Sequence, residues 1–184
     1  MDWNSPKGVL RRGMSLEREG YKFYMQVAER ASDPRGADMF RDLAHQEVDH
    51  LKLLLVEYQA LDEGGDWVPY EAAMDQDIDL DPIDPDLPGE EPPEEYQLPV
   101  FTPEREVSLE GDLAALDFGL ETEDITRTLY AEGAEKTDDE RAREAFKFLV
   151  KQEEHHYELL DNTREYLSEN ETWWDSEEYP FFIG

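Results

Sequence analysis

The chain has 184 residues, a formal net charge of -31 at pH 7 and no cysteine. Its length suits one well-buried domain, so we expect residues 1–184 to form a single domain. The acidity argues against nucleic acid or an anionic membrane as a partner, because phosphate groups are bound by concentrated basic surfaces. Without cysteine, disulfides, thiolate metal sites and iron–sulfur clusters are excluded.

The sequence predicts a soluble, cytoplasmic protein. It begins Met-Asp-Trp-Asn-Ser-Pro, without a basic start followed by an apolar run, and no apolar segment approaches membrane-spanning length. The acidic surplus has two explanations, a strongly solvated surface suited to concentrated salt or a negative field that gathers divalent cations. We favour the first, because screening limits such a field to roughly 10 Å.

The first predicted element is a helix hairpin over about residues 6–61. Core-facing positions recur at spacings of three and four, as on a bundle helix. They are Leu10, Met14, Glu17, Tyr21, Tyr24, Ala28 and Ala31 in the first helix, then Phe40, Leu43, Glu47, His50 and Leu54 in the second. Asp33 and Pro34 predict an N-cap and a first-turn proline, and Gly64-Gly65 predicts the end of the second helix.

Residues 62–111 form the predicted crossover. They contain 17 acidic residues, one basic residue and eight of the eleven prolines, which excludes one continuous helix. Four aromatic residues predict a strap lying on the bundle surface: Trp67, Tyr70, Tyr96 and Phe101. The acidic run from Asp75 resembles a calcium loop, but its sixth and twelfth positions hold Leu80 and Asp86 instead of Gly and Glu. We interpret that run as a solvated acidic loop.

A second helix hairpin is predicted over about residues 112–168. Its core-facing positions are Leu116, Leu120, Glu123, Arg127, Tyr130 and Ala134, then Phe146, Leu149, Glu153, His156 and Leu160. Thr137 and Glu140 have the spacing of a capping box at the start of its second helix. The aromatic tail, residues 169–184, either packs on its own bundle or completes a dimer.

The two hairpins are copies of one pattern. Glu47-x-x-His50 recurs 106 residues later as Glu153-x-x-His156, and the same offset relates Glu17 to Glu123 and Tyr24 to Tyr130. A shared register without gaps indicates an internal duplication, and two antiparallel hairpins joined by a long crossover predict an all-α, ferritin-like four-helix bundle.

The duplicated polar residues predict a two-metal site. Residues three apart on a helix project from one face, so each motif offers a carboxylate and an imidazole together. Burying four unpaired carboxylates in apolar stripes costs several kcal/mol, whereas two divalent cations would cancel the four charges. The candidate ligands are Glu17, Glu47, His50, Glu123, Glu153 and His156.

Other side chains near these stripes have weaker claims. Tyr24 and Tyr130 stand about two turns beyond the glutamates of their own helices and are candidates for hydrogen bonding to the ligands. His45 and His155 lie off the stripes, which favours surface positions. Arg127 either pairs with a carboxylate near the cluster or reaches the surface. Oxygen and nitrogen donors suit iron or manganese, and zinc remains an alternative.

These residues resemble the rubrerythrin branch of the ferritin-like superfamily, over about Val9–Leu61 and Asp112–Leu167. The most specific stretches are Leu43-Ala-His-Gln-Glu-Val-Asp-His50 and Leu149-Val-Lys-Gln-Glu-Glu-His-His156. The resemblance implies two iron ions bridged by Glu47 and Glu153, with the other four residues as terminal ligands and the pairing of each His with a metal left open. It also implies a four-helix bundle that commonly forms homodimers.

The chain departs from that family in two respects. It lacks the cysteines of a rubredoxin module, so any turnover needs an external electron donor. Thr126 occupies the position where peroxidase-type rubrerythrins carry an additional carboxylate, one turn after the glutamate of the third helix.

The leading functional hypothesis is a non-haem di-iron oxidoreductase in which two ferrous ions reduce hydrogen peroxide or dioxygen, as a peroxidase or ferroxidase. The first alternative is an iron-binding or iron-handling protein without sustained turnover. The second is an interaction protein whose bundle is stapled by the metal.

Overall fold

A computed structural model describes residues 2–76, 78, 80–82, 85–97, 101 and 111–174. Within these ranges the chain is helical and contains no strand. The long helices are α1 (Pro6–Arg30), α2 (Pro34–Asp62), α4 (Asp112–Lys136) and α5 (Glu140–Asn170). The crossover contributes the short helix α3 (Tyr70–Met74) and one 3-10 turn, Glu94–Tyr96. No helix of the described chain is long and apolar enough to cross a membrane.

Side-chain caps set the starts of three long helices. The Ser5 hydroxyl accepts a hydrogen bond from Gly8 N. The carboxylate of Asp33, the residue before the predicted first-turn proline, accepts one from Arg35 N. At α5 the predicted capping box is wrong, because the N-cap is Asp139 and not Thr137. The carboxylate of Asp139 accepts from two backbone amides of the first turn, which a hydroxyl two residues earlier cannot reach.

The predicted all-α, ferritin-like antiparallel four-helix bundle is confirmed. Helix α1 lies along α2, and α4 lies along α5, because only residues 31–33 and 137–139 separate the members of each pair. The two hairpins approach each other most closely through α1 and α4. This leaves the space between α2 and α5 wider, to be bridged by long side chains.

The bundle core consists of two apolar clusters with a polar layer between them. At one end the core includes Leu10 and Met14 of α1 with Leu54 of α2. At the other it includes Phe23 and Tyr24 with Phe40. Along α1 the polar layer falls between Met14 and Phe23, and equivalent positions in the other three helices place it at the same height. Each helix therefore crosses from apolar to polar and back to apolar.

The crossover and the start of the tail pack against the bundle. Trp67 is buried edge-on to Phe146 at 5.5 Å between ring centroids, and Phe101 contacts Phe118 at 5.6 Å. Trp173 is buried, and its indole nitrogen donates to Asp112 at 2.9 Å. Of the predicted acidic loop, residues 77 and 79 lie outside the described chain, as do residues 175–184 of the predicted tail.

Candidate metal centre

Six side chains from all four long helices meet in the polar layer. Helix α1 contributes one glutamate, α2 a glutamate and a histidine, α4 one glutamate, and α5 a glutamate and a histidine. They are the six ligands predicted from the sequence: Glu17, Glu47, His50, Glu123, Glu153 and His156. None is more than 5 % exposed to solvent. Burial of so many ionisable groups in one layer requires mutual compensation or bound cations.

The imidazole of His50 faces three carboxylates. Its Nδ1 atom lies 3.6 Å from Glu17 Oε2, 3.3 Å from Glu47 Oε2 and 3.1 Å from Glu153 Oε1. Two of these carboxylates belong to the same hairpin as His50, and Glu153 belongs to the other. The closest carboxylate thus comes from across the gap between α2 and α5.

His156 has the corresponding environment in the second hairpin. Its Nδ1 atom lies 3.5 Å from Glu123 Oε2, 3.6 Å from Glu47 Oε1 and 3.7 Å from Glu153 Oε2. Glu47 and Glu153 are therefore shared by both imidazoles, whereas Glu17 approaches only His50 and Glu123 only His156. One possible metal-ligating atom from each of Glu47, His50, Glu153 and His156 lies within 4.8 Å of the other three.

Two buried tyrosines cross from one hairpin to the other. The Tyr24 hydroxyl donates to Glu123 Oε1, and the Tyr130 hydroxyl donates to Glu17 Oε1. The sequence placed each tyrosine beside the glutamate of its own helix. In the structure each tyrosine side chain instead contacts the glutamate of the other hairpin. Each hydroxyl leaves its acceptor carboxylate with the other oxygen directed at a histidine.

Glycines make these crossings sterically feasible. A Cβ atom on Gly13 would lie 2.7 Å from the Tyr130 hydroxyl, and one on Gly119 would lie 3.3 Å from the Tyr24 hydroxyl. The absence of a side chain at each glycine thus makes room for the opposing phenol at the α1–α4 contact.

Several buried oxygen and nitrogen atoms of the layer, all of types that can ligate a metal, lack a hydrogen-bond partner within the described chain. They are Glu47 Oε2, both carboxylate oxygens of Glu153, and the Nδ1 atoms of His50 and His156. Leaving a buried polar atom unpaired costs about 1–3 kcal/mol, and more if the group is charged. Five such atoms in one layer fit a cation site better than a closed hydrogen-bond network. The donor set fits divalent cations that accept oxygen and nitrogen ligands.

Protonation shows how the cluster balances its charge without a cation. Burial, together with the Glu47 carboxylate, raises the pKa of Glu17 to about 8. Burial, reinforced by Glu17, raises the pKa of Glu153 well above its ordinary range. Although burial would lower the pKa values of His50 and His156, the surrounding carboxylates outweigh it and raise both. Protons on these groups occupy the electrostatic role that bound cations would take.

Glu47 is the exception among the central carboxylates. Burial would raise its pKa, but His156 and His50 more than offset this and hold the pKa below the ordinary range. The Glu47 carboxylate consequently stays ionised. Together with the raised pKa of Glu153, this breaks the otherwise close equivalence of the two hairpins.

Gln46 is a functional candidate that the sequence analysis missed. Its Oε1 lies 3.3 Å from His156 Nε2, on the side of the ring opposite the carboxylates. When His156 is neutral, as metal ligation requires, an acceptor at this position holds the proton on Nε2 and leaves the lone pair of Nδ1 directed at the cluster. The available signal was its place directly before the motif glutamate, repeated in the second hairpin as Gln152.

A small cavity of about 140 Å³ touches the layer from outside, between α2 and α5. Its lining comprises Gln46, Asp49, His50, Leu53, Tyr70, Phe148 and Gln152. This volume holds several small molecules the size of water. His50 is the ligand candidate that lines it.

The remaining sequence candidates lie away from the cluster. His45 and His155 are exposed. Arg127 pairs with Asp124 of its own helix at 2.5 Å, so of the two alternatives for this residue the surface position is the one observed. The buried hydroxyl of Thr126 donates to the backbone carbonyl of Thr122 at 3.1 Å.

The fold and the layer together define a class of protein. A ferritin-like bundle with a buried cluster of glutamates and histidines fits a di-iron site. Residues 8–164 match the rubrerythrin family, and the chain belongs to that family. No curated protein and no solved structure gives a significant match.

Proposed function

We propose that this protein is a non-haem di-iron oxidoreductase that uses a diferrous centre to reduce hydrogen peroxide or dioxygen. The observation that carries the proposal is the convergence of five buried donor atoms without a hydrogen-bond partner, from two Glu-x-x-His motifs. The family membership supports a di-iron site, and the arrangement around each histidine supports two metal positions.

The distances suggest how the ligands are divided. Glu47 and Glu153 approach both imidazoles and would bridge the two metals. Glu17 with His50 would complete one position, and Glu123 with His156 the other. On this division His50 would serve the metal position of Glu17 and His156 that of Glu123, a pairing that the sequence left open.

When bound, two ferrous ions supply two electrons, which with two protons convert hydrogen peroxide to two waters, or dioxygen to hydrogen peroxide. The chain supplies a closed apolar environment above and below the layer, which keeps bulk water out. It also supplies charge, because four glutamates can neutralise two divalent cations. The two electrons are restored by an external donor, since the chain contains no cysteine-held iron of its own.

The tyrosines hold the terminal carboxylates in place. Burial and the adjoining glutamates raise the pKa values of Tyr24 and Tyr130 well above the ordinary range, so both remain protonated donors. A phenol that stays protonated orients one oxygen of its acceptor carboxylate and leaves the other for the metal. In this role the tyrosines are positioning residues.

The cavity beside His50 is the proposed entry for the oxidant. Gln46, Asp49 and Gln152 offer hydrogen-bonding groups to peroxide along its wall, and Leu53 and Phe148 form its apolar part. Its volume of about 140 Å³ suits a small neutral oxidant such as hydrogen peroxide.

The test begins with anaerobic loading of ferrous iron. We expect about two iron ions per chain, and oxidation of the pair by one equivalent of hydrogen peroxide, seen as a rise in near-ultraviolet absorbance. With a supplied chemical reductant, peroxide consumption should continue for many cycles. A protein that consumes one equivalent and then stops is an iron-handling protein, and one that binds neither iron nor manganese contradicts the proposal.

Neighbouring residues on α5 provide matched controls. Glu153→Gln and His156→Ala should each abolish stoichiometric binding of two metals. Glu154→Gln and His155→Ala alter adjacent, exposed positions and should leave binding and oxidation unchanged. Equal losses from a buried residue and its exposed neighbour would show that the variants act through general destabilisation and would remove this support.

A further inference from the structure

A second, larger cleft lies outside the metal centre, where the crossover packs over α2 and α5. It has a volume of about 350 Å³, within the range of small-molecule sites. Its apolar and aromatic lining comprises Leu53, Trp67, Val68, Pro69, Tyr70, Ala145 and Phe148. We call this space the strap cleft. It adjoins the cavity beside His50 but includes none of the six ligand candidates.

The strap cleft contains a buried carboxyl group with an unused acceptor. Glu57 is 1 % exposed, and its Oε2 accepts a hydrogen bond from Val68 N at 2.9 Å. Its Oε1 has no partner within the described part of the chain. A buried carboxylate oxygen without a partner is costly, so Glu57 Oε1 is available to accept from an external donor or to pair with a cation.

Glu57 does not belong to the duplicated metal pattern. The corresponding position of the second hairpin, 106 residues later, is Thr163, whose hydroxyl donates to the Leu159 carbonyl at 2.7 Å. The first hairpin thus carries a buried carboxyl where the second carries a satisfied hydroxyl. The difference coincides with the strap cleft, which covers only the first of the two positions.

The charges around the strap cleft favour a positive ligand. Glu71 of α3 and Glu144 of α5 add two carboxylates to its lining. Among the described residues, the only cation of the lining is Arg141, which is directed at Asp66 with 3.3 Å between the charged groups. Three aromatic rings beside a carboxylate are the combination that attracts ammonium groups, through cation–π and ionic interactions.

We propose that the strap cleft binds an organic ammonium ion, whose charge pairs with Glu57 Oε1 and whose alkyl groups contact Trp67, Tyr70 and Phe148. A ligand with one charged head and a short chain matches the size of the cleft. The aromatic lining favours an alkylated ammonium over a small hydrated inorganic cation. This site does not depend on the proposed oxidoreductase function.

The first test uses choline and its uncharged carbon isostere on metal-free protein at pH 8, at constant ionic strength. Isothermal titration reports binding, and intrinsic tryptophan fluorescence, to which Trp67 contributes, is a second readout. We expect saturable binding of one choline, and binding of the neutral isostere at least about tenfold weaker. Equal binding of the two compounds, or no saturable binding of choline, would overturn the proposal.

Two variants locate the site. Glu57→Gln retains an acceptor for Val68 N but removes the negative charge, and should weaken choline binding about tenfold or more. Ala145→Phe fills the strap cleft and should abolish binding, whereas Ala131→Phe on α4 should not. Circular dichroism establishes that each variant is folded. Choline affinity that is the same in Glu57→Gln and Ala145→Phe as in the unaltered protein would place the ligand elsewhere and refute the assignment.

The pH dependence gives an independent readout. Burial raises the pKa of Glu57 to about 7, and the hydrogen bond from Val68 N lowers it by a smaller amount. Affinity for choline should therefore increase from pH 6 to pH 8 and then level off. The other charged groups at this site are Asp66, Glu71, Arg141 and Glu144. A flat profile over this range would contradict a role for Glu57.

Discussion

Glu57→Gln should stabilise the protein in alkaline solution. Glu57 is buried beneath the crossover, and this burial raises its pKa from 4.5 to about 7. A raised carboxyl pKa means that the folded state binds the proton more tightly than the unfolded chain. The stability that the folded protein gains from protonated Glu57 is fully present below pH 4.5 and is lost as the pH rises through about 7. Glutamine cannot ionise and avoids this loss.

The magnitude follows from the two pKa values. At about 1.4 kcal/mol per pKa unit, the rise from 4.5 to about 7 corresponds to an upper limit of about 3 kcal/mol at pH 8.5. For a domain of this size, 1 kcal/mol changes the melting temperature by roughly 2–4 °C. Glu57→Gln should therefore melt up to about 10 °C higher at pH 8.5 and within about 2 °C of the unaltered protein at pH 5.

The assay is thermal and urea unfolding of the metal-free protein at several pH values, in amine-free buffer so that no ammonium ion occupies the strap cleft. Glu144→Gln is the control, since this carboxylate borders the same cleft but is exposed. The Glu144→Gln variant should show no comparable increase in melting temperature at pH 8.5. A Glu57→Gln variant whose stability relative to the unaltered protein is the same at pH 5 and pH 8.5 would refute the reasoning.

Three further perturbations address the centre and the crossover. Tyr130→Phe should retain iron but weaken its binding by about tenfold, measured by competition with a chelator, because the terminal carboxylate loses its donor. Gly13→Ala should cost about 1–3 kcal/mol in urea unfolding, since its Cβ would lie 2.7 Å from that phenol oxygen. Glu91→Gln should cost about 1 kcal/mol by removing the ion pair of the fully buried Arg11, a modest value because Glu91 is largely exposed. Unchanged chelator competition or unchanged unfolding midpoints would contradict the respective argument.

The helices and the candidate ligands were predictable because their signals are periodic. Glu17 and Glu47 interrupt apolar stripes of spacing three and four, and a residue within such a stripe faces the core. The 106-residue repeat then related each to a second carboxylate at the equivalent height. Local pattern and fold agree here because the bundle imposes the same period on every helix.

The partners of the tyrosines were not predictable from that period. Tyr24 stands on the same stripe as Glu17, and helical spacing alone pairs the two. The actual acceptor, Glu123, is chosen by the close approach of α1 and α4, which depends on packing between distant segments. The repeated glycines, Gly13 and Gly119, were visible in the sequence, but nothing local indicated that they face a phenol.

Glu57 was overlooked for a related reason. Residues 53–58 of α2 are buried on all sides, because the crossover covers the face that would otherwise meet solvent. The core-facing stripe predicted for α2 ends before Glu57, so this glutamate was not among the predicted core residues. Its environment depends on where residues 66–74 return to the bundle, and no local pattern specifies that path. The same limitation applied at α5, where Thr137 and Asp139 both have capping side chains and only geometry selects Asp139.

The reciprocal geometry of the two hairpins has a consequence for how such a protein can originate. Each hairpin carries two glutamates and a histidine as candidate ligands, a tyrosine that reaches across, and the glycine that accommodates the opposing ring. Two identical hairpins related by a twofold axis would therefore contain every part of the centre. Joining them in one chain removes the requirement for identity. Positions equivalent by the repeat are then free to diverge, as Glu57 and Thr163 have done, so one half can gain the proposed ammonium site while both keep their candidate metal ligands.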